Sequence, residues 1–162
     1  MGKYIGESVL RKEDPRLVTG EAKYLEDIKL SGMVHAVVKR SDYAHAKIKN
    51  IDTSEAEKVP GVIGVWTGKD FEDVNPMPCA WQAGGVDNNA NTPRVLEIDK
   101  VTFTGQGVAV VVAEDRNIAE DASSKIVVDY EELPTVVSAE EAIKPGAPQL
   151  HENAPNNCLL YT

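Results

Sequence analysis

The protein has 162 residues, with 17 basic and 26 acidic side chains and a formal net charge of −9 at pH 7. Domains that bind DNA or RNA carry a basic excess to meet phosphate charge, so the acidic balance excludes nucleic acid as the expected partner. Hydrophobic residues make up 42% and charged residues 27% of the chain, which is typical of a globular domain and not of a disordered segment.

The sequence shows no membrane-helix or signal-peptide pattern and no disulfide framework. No apolar run approaches the ~20 residues that a membrane helix needs, so no membrane partner is expected. The first residues lack the apolar region of a signal peptide. The two cysteines, Cys79 and Cys158, do not make a disulfide framework in a chain of this length, and both are interpreted as packed or incidental thiols. Together these features predict a cytoplasmic protein.

The first part of the chain is rich in turn-forming pairs. Residues 1–32 are interpreted as an N-terminal arm with one short strand at Lys23–Leu25. The β-branched run Met33–Arg40 and the alternating run Ala46–Ile51 predict two strands. The short link at residues 41–45 favours a hairpin between them.

The middle of the chain alternates between short elements and a long irregular stretch. Cap oxygens at Asp52 to Ser54 predict a helix over Ser54–Lys58. Val62–Thr67 is predicted as a buried strand, with Trp66 in the core. Residues 72–93 lack periodicity, and a loop of this length is usually functional or disordered. We interpret it as an interaction loop.

The second half contains the most apolar run, Val108–Ala113. Because this run does not alternate, it predicts a strand covered on both faces. Asp115 is predicted to cap the helix that follows, and Ser138 begins a capping-box pattern. The other predicted elements are strands at Val95–Ile98, Val101–Thr104 and Lys125–Tyr130, and helices at Asn117–Ser124 and from Ser138 to Lys144.

This order of elements predicts an α/β or α+β fold, of which we adopt α+β, with a mixed sheet and two or three short helices. The expected organisation is an arm at residues 1–32, a domain at residues 33–144 and a connector at residues 145–162. The connector holds three prolines and no strong periodicity.

The sequence contains no self-sufficient catalytic motif. It has no Gly-x-Ser-x-Gly, Walker A or His-Glu-x-x-His pattern, and its three histidines are scattered. The Gly105–Gly107 turn does not fit a phosphate-binding loop, because a strand and not a helix follows it. We therefore predict no catalytic, cofactor-binding or metal-binding residue in this chain.

Several segments together carry a resemblance to a known family. The strings Gly6–Gly20, Arg40–Ile48 and Val128–Pro134 resemble the opening of the molybdenum hydroxylase large subunits, a group that includes carbon monoxide dehydrogenase, aldehyde oxidase and xanthine dehydrogenase. The resemblance covers almost the whole chain and is nearest to the carbon monoxide dehydrogenase branch. It implies that the fold is the α/β hammerhead of that family.

The resemblance also implies a function. The chain would be the N-terminal structural domain of a molybdopterin-dependent oxidoreductase, inactive alone, and would scaffold the portion that binds the cofactor. Molybdopterin and the catalytic glutamate belong to the later part of such subunits, and iron–sulfur clusters and FAD sit on other subunits or domains. The implied partners are therefore the remainder of the large subunit and the iron–sulfur and FAD subunits. The alternative is a stand-alone binding or assembly module that reuses the fold without redox chemistry.

Irregular, glycine-containing stretches beside the most apolar strand are the expected contact with the remainder of such a subunit. The candidate interface residues are Trp81, Gly84, Gly85, Gly105, Gln106 and Gly107. The substrate stays open among carbon monoxide, aldehydes, purines and related molecules, because the residues that select it lie elsewhere in the family.

Overall fold

A computed structural model describes residues 4–78 and 91–158, and the chain divides into two compact units, residues 1–33 and 34–162. In the first unit, helix α1 spans Asp14–Val18 with a proline in its first turn. A short 3₁₀ turn, Leu25–Asp27, replaces the strand that was predicted at Lys23–Leu25. That prediction is wrong because the Asp27 carboxylate accepts a hydrogen bond from the Tyr24 backbone N–H at 2.9 Å and curls the chain.

Where the structure describes it, the second unit contains two antiparallel sheets of three strands each. The first sheet has the strand order β1-β5-β3, and the second has the order β4-β2-β6. The strands are β1 (His35–Arg40), β2 (Ala46–Asp52), β3 (Val62–Thr67), β4 (Lys100–Val101), β5 (Gly107–Ala113) and β6 (Val127–Glu132).

The α+β class is confirmed, and the expected mixed sheet is divided into these two antiparallel sheets. Strands β1 and β2 lie in different sheets, so the predicted hairpin at residues 41–45 is wrong. The chain turns a corner there because the buried hydroxyl of Ser41 accepts from the Tyr43 N–H and donates to the Tyr43 carbonyl, both at 3.0 Å. A serine hydroxyl that hydrogen-bonds to nearby backbone groups in this way favours a turn over pairing between two strands.

The strand predicted at Val95–Ile98 is absent from the described structure. The Glu97 carboxylate accepts a hydrogen bond from the Arg94 backbone N–H at 3.1 Å, and this bond folds the segment into a turn. Strand β4 is accordingly only two residues long, shorter than the predicted Val101–Thr104.

The described part of the second unit contains three α-helices, α2 (Ser54–Glu57), α3 (Arg116–Ser124) and α4 (Ala139–Ala142), and two 3₁₀ turns at Gly68–Phe71 and Pro155–Asn157. The Asp115 side chain caps α3 as predicted, accepting from the Asn117 N–H at 2.8 Å. The predicted capping box at Ser138 is wrong: helix α4 forms, but Ser138 makes no side-chain cap bond. The glutamate that would complete the box, Glu141, pairs instead with the Lys144 ammonium. Within residues 4–78 and 91–158, every helix is too short and too polar to cross a membrane.

The main core lies between α3 and one face of the first sheet. Small side chains meet there, and all of the following are fully buried: Ala109, Val111, Ala113, Ala119 and Ala122. A second cluster, with Ala46, Val101 and Val108, lies against the second sheet. Strand β5 is thus buried on both faces at Val108 and Ala109, as predicted. Further along it, Val110 and Val112 stay half-buried.

Candidate interface around Gln106

The Gly105–Gly107 turn joins β4 to β5 and is fixed to the corner where the chain leaves β1. Gly105 has a φ of +93°, a conformation that glycine adopts without steric cost. Its N–H donates to the Ser41 carbonyl at 2.8 Å, and the Ser41 N–H donates to the Gln106 carbonyl at 2.9 Å. The Arg40 guanidinium donates to the Gly105 carbonyl at 2.8 Å. The turn is therefore held by two backbone hydrogen bonds and by one cation.

The Gln106 side chain is buried and uses both ends of its amide inside the chain. Its Oε1 accepts from the Thr102 backbone N–H at 2.7 Å, and its Nε2 donates to Glu97 Oε1 at 2.7 Å. The Glu97 backbone N–H also donates to the Gly107 carbonyl at 2.9 Å. Gln106 thus positions the segment around Glu97. That Gln106 belongs to an interface stays a prediction. Because both ends of its amide are used within the chain, it would act there by positioning the backbone and not by direct contact.

A cleft of about 430 Å³ lies between residues 91–100 and the segment that contains His151. Phe103 is half-exposed at its wall, and Gln106 lies at its inner side. The other candidate residues, Trp81, Gly84 and Gly85, lie outside the described residues. Of the predicted interface, the structure brings together Gly105, Gln106 and Gly107 in one turn that borders this cleft.

Gly68 lies close against the backbone of Glu97. A Cβ added to Gly68 would lie 2.5 Å from the Glu97 carbonyl oxygen, closer than real Cβ atoms approach any backbone atom. Only glycine therefore allows the end of β3 to pass this segment at the observed distance. No local sequence pattern marks Gly68 as a position of close backbone approach.

Two histidines, His45 and His151, lie near the cleft. His45 is buried, and its Nδ1 lies 2.7 Å from the Pro134 carbonyl, so Nδ1 carries the proton. Its Nε2 is buried without a hydrogen-bond partner among the described residues. Burial lowers the pKa of His151, and the nearby Lys100 ammonium lowers it further. Lys100 itself donates to the Leu150 carbonyl at 2.7 Å and ties this segment to β4.

An aromatic pair supports the same corner from the second sheet. The rings of Tyr43 and Tyr130 have centroids 4.9 Å apart and are tilted by 44°. Burial raises the pKa of the Tyr130 hydroxyl. That hydroxyl has no partner in good hydrogen-bonding geometry among the described residues, although the Ser41 hydroxyl lies beside it. The pair packs the corner and offers no nucleophile.

Two charged groups that line the cleft are already hydrogen-bonded within the chain. The Glu97 carboxylate is occupied by Gln106 and by a backbone N–H, and the Lys100 ammonium is occupied by a carbonyl. Among residues 4–78 and 91–158, no group of three or more His, Cys, Asp or Glu side chains is arranged to hold a metal ion. The expectation that this chain supplies no catalytic, cofactor-binding or metal-binding residue stays a prediction.

Comparison with known proteins identifies the fold. Residues 19–134 match the a/b hammerhead domain of aldehyde oxidase and xanthine dehydrogenase. The chain therefore belongs to the aldehyde oxidase and xanthine dehydrogenase family, and the hammerhead fold implied by the resemblance is confirmed.

Individual relatives agree with this assignment. The chain is 43% identical to the carbon monoxide dehydrogenase large chain of Afipia carboxidovorans over 88% of its own length and 17% of that protein. It superposes on a Cu,Mo-CO dehydrogenase with a TM-score of 0.75 at 41% identity, covering 91% of this chain and 18% of that one. It superposes on quinoline 2-oxidoreductase from Pseudomonas putida 86 with a TM-score of 0.77 at 42% identity, with the same coverage. The chain thus spans less than one fifth of the relatives that it matches.

The turn was predictable from the sequence, but the partners of its side chains were not. Glu97 stands nine residues before Gln106 and within a segment that was predicted as a strand. His45 and Pro134 are 89 residues apart. No local pattern connects such residues, so only the folded chain brings them together.

Proposed function

We propose that this chain is the N-terminal structural domain of a molybdopterin-dependent oxidoreductase large subunit of the carbon monoxide dehydrogenase or aldehyde oxidase type. The observation that carries the proposal is the 43% identity over 88% of this chain to a carbon monoxide dehydrogenase large chain of which it spans 17%. In a protein of that size, the redox centre belongs to the remaining length.

The domain's role in this proposal is to scaffold the cofactor-binding portion. The polar side chains around the Gln106 turn bond to this chain's own backbone and side chains, so the domain contributes a rigid shape and no reactive group. The chain alone is inactive, and the remainder of the large subunit and the iron–sulfur and FAD subunits are its partners. A cytoplasmic location is part of the same proposal, since a chain with two cysteines offers no disulfide framework.

The scaffold role is tested in the full enzyme with Trp81→Ala and Gln106→Leu, and with Gln149→Leu as a control for an exposed glutamine. We expect both test variants to reduce the amount of assembled, molybdenum-containing enzyme, with the control at the level of the unmodified protein. Unchanged assembly and activity in both test variants would contradict the interface around the turn.

A further inference from the structure

The first sheet has a second face that lies opposite α3. Antiparallel pairing places Val38 and Trp66 on either side of Val110, in one row across the three strands. The same register places Ala36 and Gly64 on either side of Val112 in a second row. Paired residues point to the same side of a sheet. We call these two rows the open face, and its six residues are Ala36, Val38, Gly64, Trp66, Val110 and Val112.

The open face is wholly apolar and incompletely covered. Ala36 and Val38 are exposed, and the other four residues are half-buried. None of the six belongs to either buried cluster of the described structure. Trp66, which was expected in the core, instead lies across Gly64, where an added Cβ would meet the indole Cη2 at 2.5 Å. The glycine lets the ring lie close against the sheet, where it continues the apolar row.

This face differs from the rest of a strongly acidic chain. The protein carries a net charge of −9, and charged residues make up 27% of it, yet no charged or polar side chain stands in either row. A contiguous apolar surface of this kind marks an interaction site. Absence of charge is typical of the permanent interfaces that resemble a divided domain core, whereas transient partners meet more polar surfaces.

We propose that the open face is the surface on which an apolar segment of the remainder of the large subunit docks. The inference rests on the proposed function: the matched relatives are large chains of which this chain spans 17% to 18%, so most of such a subunit lies outside it. A segment of the same polypeptide is held beside the face by the covalent link. An apolar contact of modest shape complementarity therefore suffices to hold this segment, because the covalent link gives the segment a high effective concentration at the face.

Chemical labelling in the assembled enzyme tests the proposal. Cys79→Ser and Cys158→Ser remove the two thiols of these 162 residues, and Ala36→Cys then places one thiol on the open face. Mass spectrometry of the peptide that contains residue 36 separates its labelling from that of cysteines elsewhere in the enzyme. Val127→Cys on β6, whose native side chain is 58% exposed, is the matched control. We expect the Ala36→Cys thiol to react with a maleimide at least tenfold more slowly in the native enzyme than in denaturant, and the Val127→Cys thiol to react at similar rates in both. Equal rates for Ala36→Cys in the two conditions would overturn the proposal.

The same labelling separates the possible occupants. Protection that persists in the isolated, monomeric large subunit supports docking within one polypeptide. Protection that disappears when copies dissociate on dilution assigns the face to a second copy and overturns the proposal, as does protection that disappears with removal of the other subunits. If the native protein is a lone polypeptide of 162 residues with no molybdenum-containing partner, the proposed function fails, and labelling is not needed to show it.

Discussion

The Gln106 amide nitrogen donates to the Glu97 carboxylate at 2.7 Å, and this bond joins the start of β5 to a segment that forms no strand of its own. The Glu97 carboxylate also accepts from the Arg94 backbone N–H. The buried Gln106 side chain therefore holds the segment that forms the wall of the neighbouring cleft. The arrangement explains why the irregular stretch before β4 has a defined path.

Removal of this bond should destabilise the domain. Gln106→Leu leaves the Thr102 N–H and one contact of the Glu97 carboxylate without partners in a part-buried site, which we expect to cost about 1–3 kcal/mol. Gln149→Leu removes bonds to the exposed region near His151, where water replaces them, and should cost less than about 0.5 kcal/mol. Urea unfolding of the 162-residue chain measures both. Equal midpoints for the two variants would contradict the role given to Gln106.

The two cap positions give a paired prediction. Asp115→Ala removes the side-chain acceptor at the start of α3 and should lower the free energy of unfolding by about 1 kcal/mol. Ser138→Ala should change it by less than about 0.5 kcal/mol, because Ser138 makes no cap bond. Thermal unfolding of the two variants compares them directly. If Ser138→Ala lowered the free energy of unfolding by as much as Asp115→Ala does, a capping box would form at Ser138 in solution.

Packing of α3 on the first sheet allows little added volume. Ala119 is fully buried among other small side chains, so Ala119→Leu should destabilise the domain by about 1–3 kcal/mol through overpacking. The control, Ala139→Leu, adds the same atoms to an exposed position in α4 and should be nearly neutral. Denaturant unfolding gives both values. A neutral Ala119→Leu variant would mean that α3 packs less closely than described.

Burial of His151 predicts a pH dependence. Because burial and then Lys100 lower its pKa from 6.5, the unfolded chain binds more protons than the folded chain as the pH falls through 6.5. The free energy of unfolding should therefore decrease as the pH drops below 6.5, until the lowered pKa of the folded state is passed. Urea midpoints across this window, with His151→Gln as the comparison, measure the effect. The variant should show a weaker decrease, and an identical decrease in both proteins would exclude His151 as its source.

Much of the local structure was predictable because it depends on neighbours in sequence. β-branched runs located β1, β3 and β5, and Asp115 located the start of α3. The division into two sheets was not predictable, since it depends on the corner at Ser41 and on pairings between strands far apart in sequence.

The predicted interface was also visible only in part from the sequence. The glycine turn was visible in the sequence, but the partners of Gln106 were not, because a side chain's bonds depend on the folded path. The apolar rows of the open face became visible only through the register of β1, β3 and β5. Trp66 was expected in the core because it stands in an apolar strand, and neither its edge-strand position nor the glycine beneath it had a sequence signal.

The most direct test of the proposed function is purification of the protein from its native cells with a tag, followed by measurement of its mass and molybdenum content. The account predicts a polypeptide much longer than 162 residues that carries these residues and co-purifies with molybdenum and further subunits, or a chain of 162 residues bound to such a molybdenum-containing partner. A lone polypeptide of 17.6 kDa without molybdenum would contradict it and would favour a stand-alone binding module.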